Sequence, residues 1–185
     1  MRWTSFLTYL SILALVGALA SQAFGSTDAR GWFLLAWAIL LLPVVIGLFS
    51  HPMRAAAWGV FVGFWGTLAV VFLVVLQALA VADVLEGEWT AWPLAVVGIW
   101  LVVASALGFG AEPFPKFVDV LGILAGVGLI AIAVATLAGD ATVTNAAGVA
   151  GAVAYVLWAA ALGWVFWSMQ RASHRFRGMA VEPRM

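Results

Sequence analysis

The sequence predicts an all-α integral membrane protein, a six-transmembrane-helix bundle with both termini cytoplasmic. Three observations carry that prediction. Six long apolar stretches follow one another along the 185 residues, and almost nothing charged lies inside any of them. Hydrophobic residues make up 66% of the chain and charged residues 9%, more apolar surface than a water-soluble fold can bury, so the bilayer must be the solvent. The basic residues, finally, gather on one side of the alternating loops.

The expected spans are residues 4–24, 32–49, 55–82, 92–109, 117–138 and 145–169. Most reach roughly 18–25 residues, enough to cross about 30 Å of hydrocarbon at 1.5 Å per residue. Residues 1–169 thus form one six-helix transmembrane domain, and 170–185 a short basic cytoplasmic tail. Helices are expected because the apolar runs are continuous; barrel strands would alternate polar and apolar residues in segments of about ten.

The first span imitates a secretory signal, with Arg2 before an apolar run and Ala18-Leu19-Ala20 as a small-residue site. It is read as a retained first helix, ended by Gly25-Ser26-Thr27-Asp28. The second contains Pro43, which should free the carbonyl of Ile39 and kink the helix before Ser50-His51-Pro52 closes it. The third is longest and should tilt or extend beyond the membrane. Pro93 suits the first turn of the fourth, where a missing N–H costs little, and Glu112-Pro113-Phe114-Pro115 follows that helix. Lys116 precedes the fifth, and the sixth runs into the basic tail.

With the N-terminus inside, the inner segments carry Arg2, Arg54, Lys116, Arg171, Arg175, Arg177 and Arg184, leaving only Arg30 outside. The outer loops hold Asp28, Asp83, Glu86, Glu88 and Asp140. This positive-inside bias sets the orientation, and the cell (plasma) membrane is the expected location. The tail reads as an anionic-lipid contact or a stop signal.

Composition narrows the chemistry. Net charge is zero, which suggests no nucleic-acid partner, and there is no cysteine for a disulfide, thiolate metal site or nucleophile. His51 and His174 fall outside the spans and the single lysine is in a loop. No haem, metal, retinal or other cofactor is therefore expected. Neither a Ser-His-Asp set, paired carboxylates nor a phosphate loop is present, which argues against an enzyme.

Of the 11 tryptophans, Trp3, Trp32, Trp58, Trp89, Trp92, Trp164 and Trp167 fall near span boundaries, where indoles anchor at headgroup depth. Trp37, Trp65, Trp100 and Trp158 lie deeper, as packing or as a constriction. Gly59 and Gly63, Gly122 and Gly126, and Gly148 and Gly151 recur at helix-contact spacing, for packing within the chain or in an oligomer. Asp119 has two readings: a structural carboxylate at a helix N-terminus, or a gating or proton-linked group at the cytoplasmic mouth. Gln77 is the one amide well inside a span, bridging helices or facing a pathway; Tyr9, Thr67, Ser105, Thr136, Asn145 and Tyr155 complete a sparse polar set.

Gly63-Phe64-Trp65, Trp100, Lys116, Ala138-Gly139-Asp140 and Ala147-Gly148-Val149-Ala150-Gly151 together resemble the acetate/succinate uptake transporter family of small six-helix proteins. The resemblance covers the second half of the chain. That family opens its first helix with an Asn-Pro-x-Pro signature, where this chain has Arg2-Trp3-Thr4-Ser5. What the resemblance implies is a monocarboxylate pathway within each protomer and a ring-shaped, hexameric assembly.

The first functional expectation is a transporter or channel for small, weakly polar solutes, with short-chain monocarboxylates such as acetate in view. Phe64, Trp65 and Trp100 would narrow its path, Gln77 would offer a hydrogen bond, and Asp119 would respond to protonation. The alternative is a non-transporting accessory, assembly or scaffold subunit. Expected partners are the lipid bilayer, further copies of the chain or a membrane complex, and a small-molecule solute.

Overall fold

The computed structural model describes residues 2–50, 57–109 and 115–179. These form α1 (Arg2–Ala23), α2 (Thr27–Ser50), α3 (Ala57–Val81), α4 (Ala91–Gly108), α5 (Lys116–Leu137) and α6 (Ala141–Met179), with a 3-10 turn at Gly87–Thr90 before α4. No strand occurs among the described residues. All six helices are long and apolar enough to cross a membrane, so the protein is a multi-pass helical membrane protein. The Ala55 start expected for the third span, His51-Pro52, Glu112-Pro113-Phe114 and Arg184 lie outside the described residues.

Two helices run beyond their expected bounds. α2 begins at Thr27, with Asp28 in its first turn, where a carboxylate meets the positive end of the helix dipole. α6 continues to Met179, so most of the expected tail is helical. Neither proline nor glycine occurs between Trp164 and Arg177 to stop it. α2 passes through Pro43 as one helix, with Val44 and Val45 fully buried behind it.

Three turns at one end of the bundle reverse the chain by the same device, a residue in the left-handed region just past the helix. After α1, Gly25 has φ of 71°; Ser26 N donates to Ser21 O at 2.9 Å and Gly25 N to Gln22 O at 3.1 Å. After α3, Asp83 takes that role at φ 55°, with Val84 N bonded to Leu79 O at 2.9 Å. Gly139, at φ 72°, ends α5. These bonds satisfy carbonyls that a helix C-terminus otherwise leaves orphaned. Asp140 then caps α6, its Oδ1 accepting from Thr142 N at 2.9 Å and Val143 N at 3.0 Å. Asp28, Glu86 and Glu88 sit at the same end, hereafter the acidic end; Lys116 opens α5 at the opposite one.

Each helix packs on its neighbours in chain order, and α1 returns to α6, so the six helices close into a ring. Small residues set the tightest seams. Gly98 of α4 and Gly126 of α5 face each other so closely that a Cβ on Gly126 would stand 2.6 Å from the Gly98 carbonyl oxygen. On the α5–α6 seam, a Cβ on Gly128 would lie 2.6 Å from the Gly151 Cα. Such approaches maximise dispersion contact where lipid offers no hydrophobic driving force between helices. Outward faces carry Phe6, Leu13, Ile39, Ile46, Phe72 and Leu124, side chains suited to acyl chains.

Candidate functional site: a central cavity closed at mid-depth

The half of the ring nearer the acidic end encloses a cavity of about 490 Å³ to which every helix contributes. Its lining follows helical periodicity: Leu15, Ala18 and Gln22 on α1, Leu34, Trp37 and Ala38 on α2, Leu73 and Gln77 on α3. Ala91 and Leu94 come from α4, Leu129, Ile132 and Thr136 from α5, and Asn145, Gly148, Ala152 and Tyr155 from α6. Spacings of three and four residues bring each set onto one inward stripe.

Polarity is graded along this space. Gln22, Arg30, Glu88, Thr90, Thr144 and Asn145 surround the mouth. Gln22 Nε2 donates to Asn145 Oδ1 at 2.7 Å, joining the end of α1 to the start of α6 across the rim. Deeper in, the walls are aliphatic. Gln77 is buried there and its Nε2 reaches the Gly31 carbonyl at 3.4 Å, a long contact; nearer the mouth, Thr136 Oγ1 donates to Ile132 O at 2.8 Å.

An aromatic layer forms the floor. The Trp37 and Tyr155 rings meet edge to face with centroids 5.5 Å apart, and Trp158 packs under Tyr155 at 5.7 Å. Tyr155 is fully buried and its hydroxyl lies 2.9 Å from Ser11 Oγ. Ser11 has one hydroxyl proton, and it goes to the Thr8 carbonyl at 2.7 Å. Tyr155 is therefore the donor to Ser11. Trp37 Nε1 lies near the Tyr155 hydroxyl, but the geometry falls short of a hydrogen bond.

Below the floor, Val44, Val45, Val70, Leu162 and Phe166 are buried, while α1 supplies two further buried hydroxyls, Ser5 and Thr8. Thr8 Oγ1 donates to Thr4 O at 2.8 Å, and Ser5 Oγ has no hydrogen-bond partner among the described residues. Thr4, Thr8, Ser11, Leu15, Ala18 and Gln22 thus form one continuous stripe on α1, polar below the floor and at the mouth, apolar between.

The residues singled out from sequence divide accordingly. Gln77 and Gly148 line the cavity, as does Gly151, which also packs against Gly128. Gly148 corrects its expected role as a packing glycine: a Cβ there would meet nothing within 4 Å, because the residue faces open space. Phe64 and Trp65 correct a second expectation. They are 65% and 49% exposed on the outer face of α3, so they narrow no route through this ring. Trp100 is buried but stands against Gly66 on the α3–α4 seam, outside the cavity lining. Gly63 is buried, and the surroundings of Gly59 lie outside the described residues.

Asp119 is buried in the first turn of α5 beyond the floor, not in the cavity. Gly108 of α4 leaves room for its carboxylate, which would collide with any Cβ there, and Asp119 Oδ2 has no hydrogen-bond partner among the described residues. One turn on, Gly122 makes room for Ser105 in the same way; Gly126 packs on Gly98. Sequence reasoning missed Ser5, Thr8 and Ser11, although their spacing was there to be read. Tyr9, of the sparse polar set, is 41% exposed. Set against known protein families, curated proteins and solved structures, the chain matches none.

Proposed function

We propose that the protein is a channel or transporter passing small, weakly polar solutes across the membrane, short-chain monocarboxylic acids such as acetate among them. The observation that carries this reading is the closed ring of six helices around a cavity open at one end and sealed at mid-depth. A helix bundle selected only for packing fills its axis with side chains, and Val45, Leu162 and Phe166 are buried below Tyr155. Retaining an open chamber above that level makes sense if something enters it.

In this reading Trp37, Tyr155 and Ser11 form the gate, and Gln77 is the polar contact midway down. The hydroxyls of Thr8 and Ser5 continue the path once the aromatic layer moves. Both termini face the cytoplasm at the plasma membrane, which puts the cavity mouth outside. The lack of cysteine makes that orientation simple to check, since single cysteines at Ser26 and Lys116 are then the sole thiols. An impermeant maleimide added to intact cells should label the first and spare the second; the reverse pattern inverts the assignment.

Flux is the direct test. Purified protein in liposomes should accelerate entry of labelled acetate or a related small acid, and Trp37→Ala should raise the rate by removing half of the aromatic seal. Unchanged flux over a panel of neutral and acidic solutes, with insertion verified, would refute solute passage. The burial of Val44, Val45, Leu162 and Phe166 below the floor favours the second reading, a non-transporting accessory or assembly subunit, and that null result would promote it.

A further inference from the structure

We propose that the central cavity is a binding site for single-chain amphiphiles, with medium-chain monocarboxylates of about ten carbons as the class that fits. This rests on the cavity being a chamber for solutes, but it asks what fills the chamber rather than what crosses the membrane. Size is the first observation. At about 490 Å³ the cavity falls in the range of roughly 300–1,000 Å³ typical of sites for larger organic ligands, and a two-carbon acid would leave most of it empty.

The second observation is how polarity is distributed. Arg30 stands at the mouth, where a carboxylate head would find a cation; Glu88 shares that rim and disfavours a second negative charge on the ligand. The hydrogen-bonded Gln22–Asn145 pair adds fixed donors at the same level. Farther in, Leu15, Leu34, Leu94 and Leu129 give an aliphatic wall. Between mouth and floor, Gln77 is the polar lining side chain and its Nε2 already reaches the Gly31 carbonyl, so the interior leaves little polar demand for a ligand to meet. A molecule with one polar end and an apolar remainder satisfies both zones.

Depth sets the length. Between Asn145 at the mouth and Tyr155 at the floor, α6 advances about 15 Å at 1.5 Å per residue. An extended alkyl chain advances about 1.25 Å for each C–C bond of about 1.5 Å, so about thirteen carbons would span the whole depth and chains of ten to twelve fit within it. The chain end would then rest against Trp37 and Tyr155.

Trp37 and Gly148 make the test specific. In nanodiscs, decanoate carrying a terminal bromine should quench the intrinsic fluorescence contributed by Trp37, isolated as the difference from a Trp37→Phe variant. Quenching should saturate, and excess unlabelled decanoate should relieve it while acetate does not. Across a chain-length series, each added methylene should tighten binding about fourfold, then stop helping at about ten to twelve carbons. Gly148→Leu points a side chain into the cavity from a position whose Cβ meets nothing within 4 Å, and it should weaken decanoate binding at least tenfold while melting like the parent protein. Quenching that never saturates, rises with chain length without limit and is equal in all variants is bilayer partitioning, and it overturns the proposal. Decanoate binding without flux of any solute keeps this inference and removes transport. Acetate flux without saturable decanoate binding does the reverse.

Discussion

Replacing Gly126 with alanine adds one methyl group at the closest approach in the bundle. The new Cβ would lie 2.6 Å from the Gly98 carbonyl oxygen, 2.8 Å from Val102 Cγ2 and 3.0 Å from the Val102 nitrogen. Two of those three atoms are backbone, so no rotamer change relieves them, and α4 must move off α5 by several tenths of an ångström. Overpacking of this kind costs about 1–3 kcal/mol. Alanine recovers part of that through its better helix propensity, at most about 1 kcal/mol. The expected net loss is therefore about 1–2 kcal/mol, a fall in melting temperature of about 2–8 °C for a chain of this size. Gly148→Ala supplies the control, because its Cβ meets nothing within 4 Å and only the propensity gain remains. Both variants are to be melted in the same detergent, reading loss of the monodisperse peak on size-exclusion chromatography. If Gly126→Ala melts at or above Gly148→Ala, the α4–α5 seam is not as close as described, and the reasoning fails with it.

Removing either partner of the floor hydrogen bond should have unequal effects. Ser11→Ala strands a buried phenolic O–H without its acceptor and should cost about 1–3 kcal/mol, whereas Tyr155→Phe leaves Ser11 still bonded to Thr8 O and should cost about 0.5–1.5 kcal/mol. A thermal-shift ranking with Tyr155→Phe the weaker variant would contradict the donor assignment. Asp83→Gly should stabilise the α3 terminus by about 0.5–1 kcal/mol, since a residue with a Cβ pays to sit at φ 55°; a lowered melting temperature would mean that the Asp83 side chain makes a compensating contact.

Hydropathy and breakers made the six helices legible, and two of the three left-handed caps fall on glycines that sequence alone marks as stops, Gly25 and Gly139. The third falls on Asp83, a residue with several other common roles, and it could not be told apart from an ordinary outer-loop charge. Which face of each helix turns inward was much less legible. In water an apolar stripe announces a core, but lipid is as apolar as a protein interior, so Phe64 and Trp65 read equally well inward or outward. α1 is the exception. Its hydroxyls at Thr4, Thr8 and Ser11 repeat at helical spacing, and although Thr8 and Ser11 donate to carbonyls of their own helix, only the protein side also offers Ser11 the Tyr155 hydroxyl. Closure of the ring was invisible for a different reason. It depends on Ser11 meeting Tyr155 and Gln22 meeting Asn145, pairs that no local pattern connects.

The partners in that closure are 144 residues apart in the case of Ser11 and Tyr155, which bears on how the protein is made. As helices enter the bilayer in order of synthesis, α1 has α2 beside it at once but must wait for α6 before its other flank is covered. Throughout that interval Ser11 lacks its phenolic partner, and the chamber is a trough open sideways to acyl chains. Assembly therefore ends with α6 displacing lipid from the trough, and chains halted before that step should be the ones that quality-control proteases recognise.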